Sequence, residues 1–235
     1  MHIGMFDPTI ILLIPAIIFS VVAQAKVSGA YSKYSQVRSA RGVTGAKAAR
    51  MILDRNGLQD VRIEITEAKL SDHYDPRKKV IRLSPGVHDT PSVAALSIAA
   101  HEAGHAIQHA QKYSPLAIRN TIVPVVNVGS WLAWPLLIIG LVIVSAGNYV
   151  HGNMLFNIGV ILFAGVVVFH AITLPVEFNA SRRAIEELEN YGLIQMDEKR
   201  GAQKVLSAAA MTYIAALAMA LANLVRILII LRGRD

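Results

Sequence analysis

Four stretches of the chain are apolar for far longer than one face of a soluble helix requires. They run from Pro8 to Ala25 (PTIILLIPAIIFSVVAQA), Ile122 to Ala146, Met154 to Leu174, and Val205 to Leu231. A helix needs about 20 apolar residues to cross a bilayer core, so each stretch predicts a membrane span. The first lacks a basic start and runs straight into Lys26, which reads as an anchor rather than a cleaved signal. The alternative is a set of buried helices in a soluble core. The second and third stretches are too long and too free of charge for that.

The patterns between the spans are different. SGAYSKYSQVRS, after Lys26, is polar and basic with spaced tyrosines, and predicts a helix or arm near the headgroups. In GVTGAKAARMILDRNGL, Thr44 can cap a helix with an apolar face of Ala48, Met51 and Ile52, and Asn56-Gly57 stops it. VRIEIT and KKVIRLS alternate in strand fashion on either side of the turn-like DHYDPR, predicting a hairpin or small sheet. SPGVHDTPS punctuates the chain before a long alanine-rich helix, VAALSIAAHEAGHAIQHAQ. Beyond the third span, Pro175 is followed by a second helical run, VEFNASRRAIEELENYG, ending near Asn190–Gly192. Asp197-Glu198 can start the helix that becomes the fourth span.

Composition agrees with a membrane protein. Of 235 residues, 54% are hydrophobic and 17% charged, with a mean hydropathy of +0.45. The absence of cysteine excludes disulfides, a thiolate nucleophile and a Cys-ligated metal. A net charge of +7 would suit nucleic acid, but the cations are partitioned rather than scattered. Residues 26–120 hold 15 of the 23 Lys and Arg, and residues 1–25 and 121–181 hold none. No RNA-binding aromatic motif or helix-turn-helix accompanies them. The surplus therefore reads as membrane orientation, with acidic lipid contact second. The loop between spans two and three has no Lys or Arg. Segments 26–120 and 175–204 should then share the cytoplasmic side, with both termini outside; Arg232 and Arg234 sit poorly with that placement of the C-terminus.

The chemistry lies in His101-Glu102-Ala103-Gly104-His105. On a helix, positions i and i+4 share a face about 6 Å apart, so two imidazoles can grip one zinc ion. Glu102 can reach the bound water, whose pKa zinc lowers to about 7, and act as its general base. Chance supplies such a string about once in a hundred chains of this composition. Small neighbours (Ala99, Ala100, Ala103, Gly104, Ala106) leave room for metal and substrate. His109 keeps the spacing but lies about 12 Å along the axis from His101, too far to share one ion.

A catalytic zinc needs a third protein ligand. His151 falls on the opposite membrane side, and His170 lies within the third span, where an intramembrane histidine is a functional candidate or a helix–helix hydrogen bond. Glu186, Glu187 and Glu189 sit near Arg182 and Arg183 and read as a solvated face. Glu177 stands alone past Pro175, between Val176 and Phe178. It could be a carboxylate that merely suits a helix start. The ligand reading is favoured, because spans two and three return it beside the helix that precedes them.

DHYDPRKKVIRLSPGVHDTPSVAALSIAAHEAGHAIQHAQKYSPLAIRN, LPVEFNASRRAIEEL and AAAMTYIAALA resemble the YugP-type neutral zinc metallopeptidases of bacterial membranes, over nearly the whole chain. That group is similar to the larger HtpX and CAAX prenyl-protease families. The resemblance implies a gluzincin-like site with one zinc per chain: His101 and His105 as ligands, Glu102 as base, Glu177 as third ligand. In the HtpX-like pattern an Asp four residues after the ligand Glu orients a metal histidine. Here that position is Ser181, with Asn179 nearby. The resemblance also makes the strand Val80, Ile81, Arg82, Leu83 an edge to which an extended peptide adds, holding a scissile amide by main-chain bonds. Oxyanion stabilisation needs a further donor, for which His88, Arg182 and Tyr213 are candidates.

The expectation is therefore a mainly α integral membrane protein, one metallopeptidase domain over 1–235. It has about four transmembrane helices and a small α+β cytoplasmic part made of a short β-hairpin and the HExxH helix. Its function is zinc-dependent endopeptidase, its substrate an unfolded or membrane polypeptide, its place the inner membrane. Small residues along Ala208–Ala222 permit a homo-oligomer or a membrane adaptor; nucleic acid is not expected. One alternative is a non-catalytic zinc-binding scaffold or assembly factor. A site-2-protease-like enzyme is the other, but spans two to four lack the Asp it requires.

Overall fold

The computed structural model describes residues 8–67 and 71–232; Arg234 lies outside them. A 3-10 turn (Pro8–Leu13) leads into α1 (Ile14–Ser35), and α2 (Gly45–Arg55) follows. Then come β1 (Arg62–Ile65), β2 (His73–Asp75), β3 (Val80–Leu83), the single turn α3 (Pro85–His88) and α4 (Val93–Ala110). Three long helices complete the chain: α5 (Ser114–Ser145), α6 (Tyr149–Asn190) and α7 (Met196–Arg232).

Among the described residues, four helices are long and apolar enough to span a bilayer: Thr9–Ser35, Ser114–Ser145, Tyr149–Asn190 and Met196–Arg232. Between 11% and 22% of their most apolar windows is buried within the chain. Such surface cannot be the core of a soluble fold, and large side chains such as Trp131, Val150 and Ile161 lie on it exposed. The fold is that of a mainly α membrane protein with a small α+β part.

The chain divides into two compact units. The first comprises Met1–Val22, Ile118–Leu174 and Tyr213–Asp235. Its contacts include Ala133 and Leu137 of α5, Phe156 and Phe163 of α6, and Ala220 and Ile227 of α7. Without a hydrophobic drive between helices in lipid, close backbone approach through small residues has to supply the packing. At Gly140 a Cβ would lie 2.6 Å from the Phe156 nitrogen, so only glycine lets α5 and α6 pack this closely.

The second unit comprises Ala23–Ala117 and Pro175–Thr212. α2 starts at the Thr44 cap, whose hydroxyl accepts from the Lys47 N–H, and ends at Asn56 and the left-handed Gly57 (φ +73°), as its residues predict. Its buried face of Ala48, Ala49, Ile52 and Leu53 shares a core with α4. α4 is capped by Ser92, which accepts from the Ala95 N–H. It is buried along almost its entire length, which accounts for a sequence apolar on nearly every side.

Two expectations are corrected. First, the sheet is β1-β3-β2, with β1 parallel and β2 antiparallel to β3. The hairpin therefore joins β2 to β3, and His73–Asp75, read as turn, is a strand. The turn follows it, with the Asp75 carboxylate accepting from the N–H groups of Arg77 and Lys78, and Lys79 left-handed at φ +47°. Val80–Leu83 is thus the central strand rather than an edge, as its nearly unbroken burial requires. Second, Pro175 does not divide two helices. α6 runs through it for 42 residues, a tolerance that long membrane helices have for proline.

Candidate metal centre

Two helices of the second unit build the site. α4 carries His101 and His105 one turn apart, with ring centroids 4.7 Å apart and nearly perpendicular planes. α6 brings Glu177 to them. Its Oε2 lies 3.3 Å from Nε2 of His101 and 3.6 Å from Nε2 of His105. One ligand atom from each of the three residues falls within 4.8 Å of the other two. Ligands about 2.0–2.2 Å from a tetrahedral zinc stand roughly 3.3–3.6 Å from one another. The two nitrogen–oxygen separations match ligands on one zinc ion, and two imidazoles with one carboxylate are the donor set of a site that keeps its fourth position for water.

Glycine at position 104 makes this meeting possible. A Cβ there would lie 2.8 Å from the Ala180 carbonyl oxygen, three residues past Glu177 on α6. The small residue inside the HExxH string is thus spent on helix–helix contact. Gly104→Ala should cost about 1–3 kcal/mol of stability through overpacking, and should weaken zinc binding by moving Glu177 off the imidazoles. Thermal unfolding with and without zinc measures both effects.

The site is desolvated. Glu177 is 3% exposed, Glu102 8% and His105 9%. Burial opposes a charge on His105, but the hydrogen bond with Glu177 and the charges of Glu102 and Glu177 outweigh it and hold its pKa above the ordinary value. The donor set therefore attracts a cation at this point.

Each imidazole is held at its far nitrogen. Ser181 Oγ lies 3.2 Å from Nδ1 of His101, so the position where the related pattern has Asp still contacts a metal histidine. Gln108 Oε1 lies 3.0 Å from Nδ1 of His105. Sequence reasoning missed Gln108. Its signal was its spacing, three residues past His105, as the only side-chain amide in α4.

The remaining candidates are not among the three clustered ligands. The His88 Nδ1 is engaged by Asp89 at 2.7 Å. Arg182 is solvated and faces Glu186 one turn on. Tyr213 lies on α7. His109 is exposed, its Nδ1 2.9 Å from the Tyr74 hydroxyl, in keeping with its exclusion as a ligand. His151 contacts Asn148, and neither it nor His170 belongs to the His101–His105–Glu177 group.

Helices of membrane-spanning length and a buried His-His-Glu cluster built on HExxH define a class, the membrane metallopeptidases. Comparison with known proteins narrows it: residues 9–232 match the family described as "Putative neutral zinc metallopeptidase", and the chain belongs to that family. It is 47% identical over 227 residues to the "Putative membrane protease YugP" of Bacillus subtilis (strain 168), covering 96% of this chain and 98% of the relative. No solved structure matches.

Proposed function

We propose that the chain is an endopeptidase that hydrolyses unfolded or membrane-derived polypeptide at the cytoplasmic face of the inner membrane. The observation that carries the reading is the convergence of His101, His105 and Glu177 within 4.8 Å, with Glu102 beside the first ligand. The cytoplasmic placement rests on the Lys- and Arg-rich segments 26–120 and 175–204 and on the loop between α5 and α6, which has neither residue.

Zinc held by the three ligands would supply a Lewis acid and a more acidic water. The rest falls to the chain. The Glu102 carboxylate accepts a proton from the attacking water as its oxygen bonds to the scissile carbonyl carbon. It then donates that proton to the amide nitrogen as the C–N bond breaks, and is itself restored to the carboxylate. An extended substrate needs a free strand edge, and β3 offers none. Among the described residues no strand pairs with the outer side of β2, which joins α4 through the Tyr74–His109 contact. We place the peptide there, where main-chain bonds would hold it without demanding one side-chain sequence.

The purified full chain in detergent should cleave casein, lose that activity when a chelator strips its metal, and regain it with zinc. Bound zinc with no cleavage of casein or any tagged peptide would favour the scaffold instead.

A further inference from the structure

Beyond its three ligands, the metal centre has a chain of hydrogen bonds whose polarity can be read residue by residue. The Arg183 Nε–H can only donate, so the Asn179 atom it meets at 2.8 Å is the carbonyl oxygen, Oδ1. The same Oδ1, and the Val176 carbonyl oxygen, each lie 2.8 Å from the other end of Gln108. Both are acceptors, so that end of Gln108 is its NH₂, and the end facing His105 is its carbonyl oxygen. A carbonyl oxygen only accepts. Nδ1 of His105 must therefore carry a proton, which leaves Nε2 as the nitrogen that faces Glu177 and the metal position.

We propose that Gln108 is a positioning residue of the metal centre: through Asn179 and Arg183 it fixes the tautomer and ring orientation of His105. Gln108 is fully buried and each of its polar atoms is engaged, so its amide cannot turn over without leaving two acceptors face to face. The two ligand histidines then differ. Ser181 beside His101 can donate or accept, and imposes no tautomer. His105 is set before metal arrives, and the setting comes from α6, the helix that also supplies Glu177. Metal ligands are commonly oriented in this way by a carboxylate or backbone carbonyl; here a neutral side-chain amide with a relay behind it does so.

The inference rests on zinc binding at the three ligands but not on peptide cleavage, so its test reads metal affinity. Zinc dissociation constants of the full chain in detergent are measured by competition with a chromophoric chelator. Gln108→Leu keeps the bulk but cannot accept, and should weaken zinc about 10–100-fold. Asn179→Ala leaves only the Val176 carbonyl to hold the Gln108 amide in place and should cost less, about 5-fold; it carries the test alone if Gln108→Leu fails to fold. Ser181→Ala should change affinity by less than about 3-fold. Visible absorption of the cobalt-substituted protein should shift in Gln108→Leu, since a rotated imidazole alters the ligand field, whereas a variant that is only less stable keeps the parent spectrum. Folded Gln108→Leu and Asn179→Ala proteins with parental affinity and an unchanged cobalt spectrum would overturn the proposal. A parent that binds zinc and cleaves nothing sinks the peptidase reading and leaves this one standing. A parent that binds no zinc sinks both.

Discussion

Replacing Glu102 with Gln should leave zinc bound and lower hydrolysis by about 10²–10⁴-fold, the usual contribution of a general acid–base group. The substitution is isosteric, so α4, buried along this stretch, has no volume to adjust and the two imidazoles keep their partners. What changes is proton transfer: an amide oxygen cannot take a proton from water at neutral pH or return it to an amine. Zinc content and casein cleavage measured on one preparation separate the two effects. Losing zinc together with activity would mean that Glu102 holds the metal centre together rather than working on the substrate. Undiminished cleavage would remove it from the chemistry altogether. The same preparation distinguishes an enzyme from a zinc-binding scaffold, because a scaffold has no turnover for the variant to lose.

How far the sequence announced this site depends on whether each feature is local. The histidine pair is legible because helical periodicity fixes it within five residues, and the caps at Thr44 and Ser92 are fixed by immediate neighbours. Glu177 is 72 positions beyond His105, yet was reachable, since two long apolar stretches joined by a short loop must return the chain near its start. The sheet was not legible in the same way. β2 is three residues of polar and aromatic character in DHYDPR, where Asp and Pro signal a turn more loudly than His-Tyr-Asp signals a strand. The family resemblance made β3 an edge, and with β2 unseen nothing local opposed that; the burial of Val80, Ile81 and Leu83 goes with its central place. Pro175 misled for a different reason. Rules drawn from isolated helices make proline a boundary, whereas a long, well-supported helix absorbs one missing N–H. Gln108 is marked in the sequence only by its spacing from His105, because buried amides act through partners that the fold brings together from distant positions, here Asn179 and the Val176 carbonyl.

Glu177→Ala should reduce zinc affinity by more than the roughly 10–100-fold that loss of an orienting partner costs, because it removes a ligand outright. Two imidazoles would be left with no anion among the three ligands to offset the charge of a divalent ion in a site where Glu177 and His105 are hardly exposed. The metal-free chain should suffer far less. Glu177 meets both histidines there, but its own burial opposes those contacts, and removing the carboxylate relieves that cost as it loses the bonds. Melting in the presence of chelator should therefore change little, while the zinc-dependent rise in melting temperature disappears. Glu177→Asp keeps the charge on a stem one methylene shorter, so it should retain part of the affinity. The neighbouring carboxylates supply the controls. Glu186 spends its charge on Arg182 at the surface, and Glu187 accepts from the Asn56 amide; neither should matter to zinc. If Glu177→Ala binds zinc like the parent, or if Glu186→Ala loses it equally, the third ligand is not the residue that α6 brings to His101 and His105, and the metal centre must be sought elsewhere in the chain.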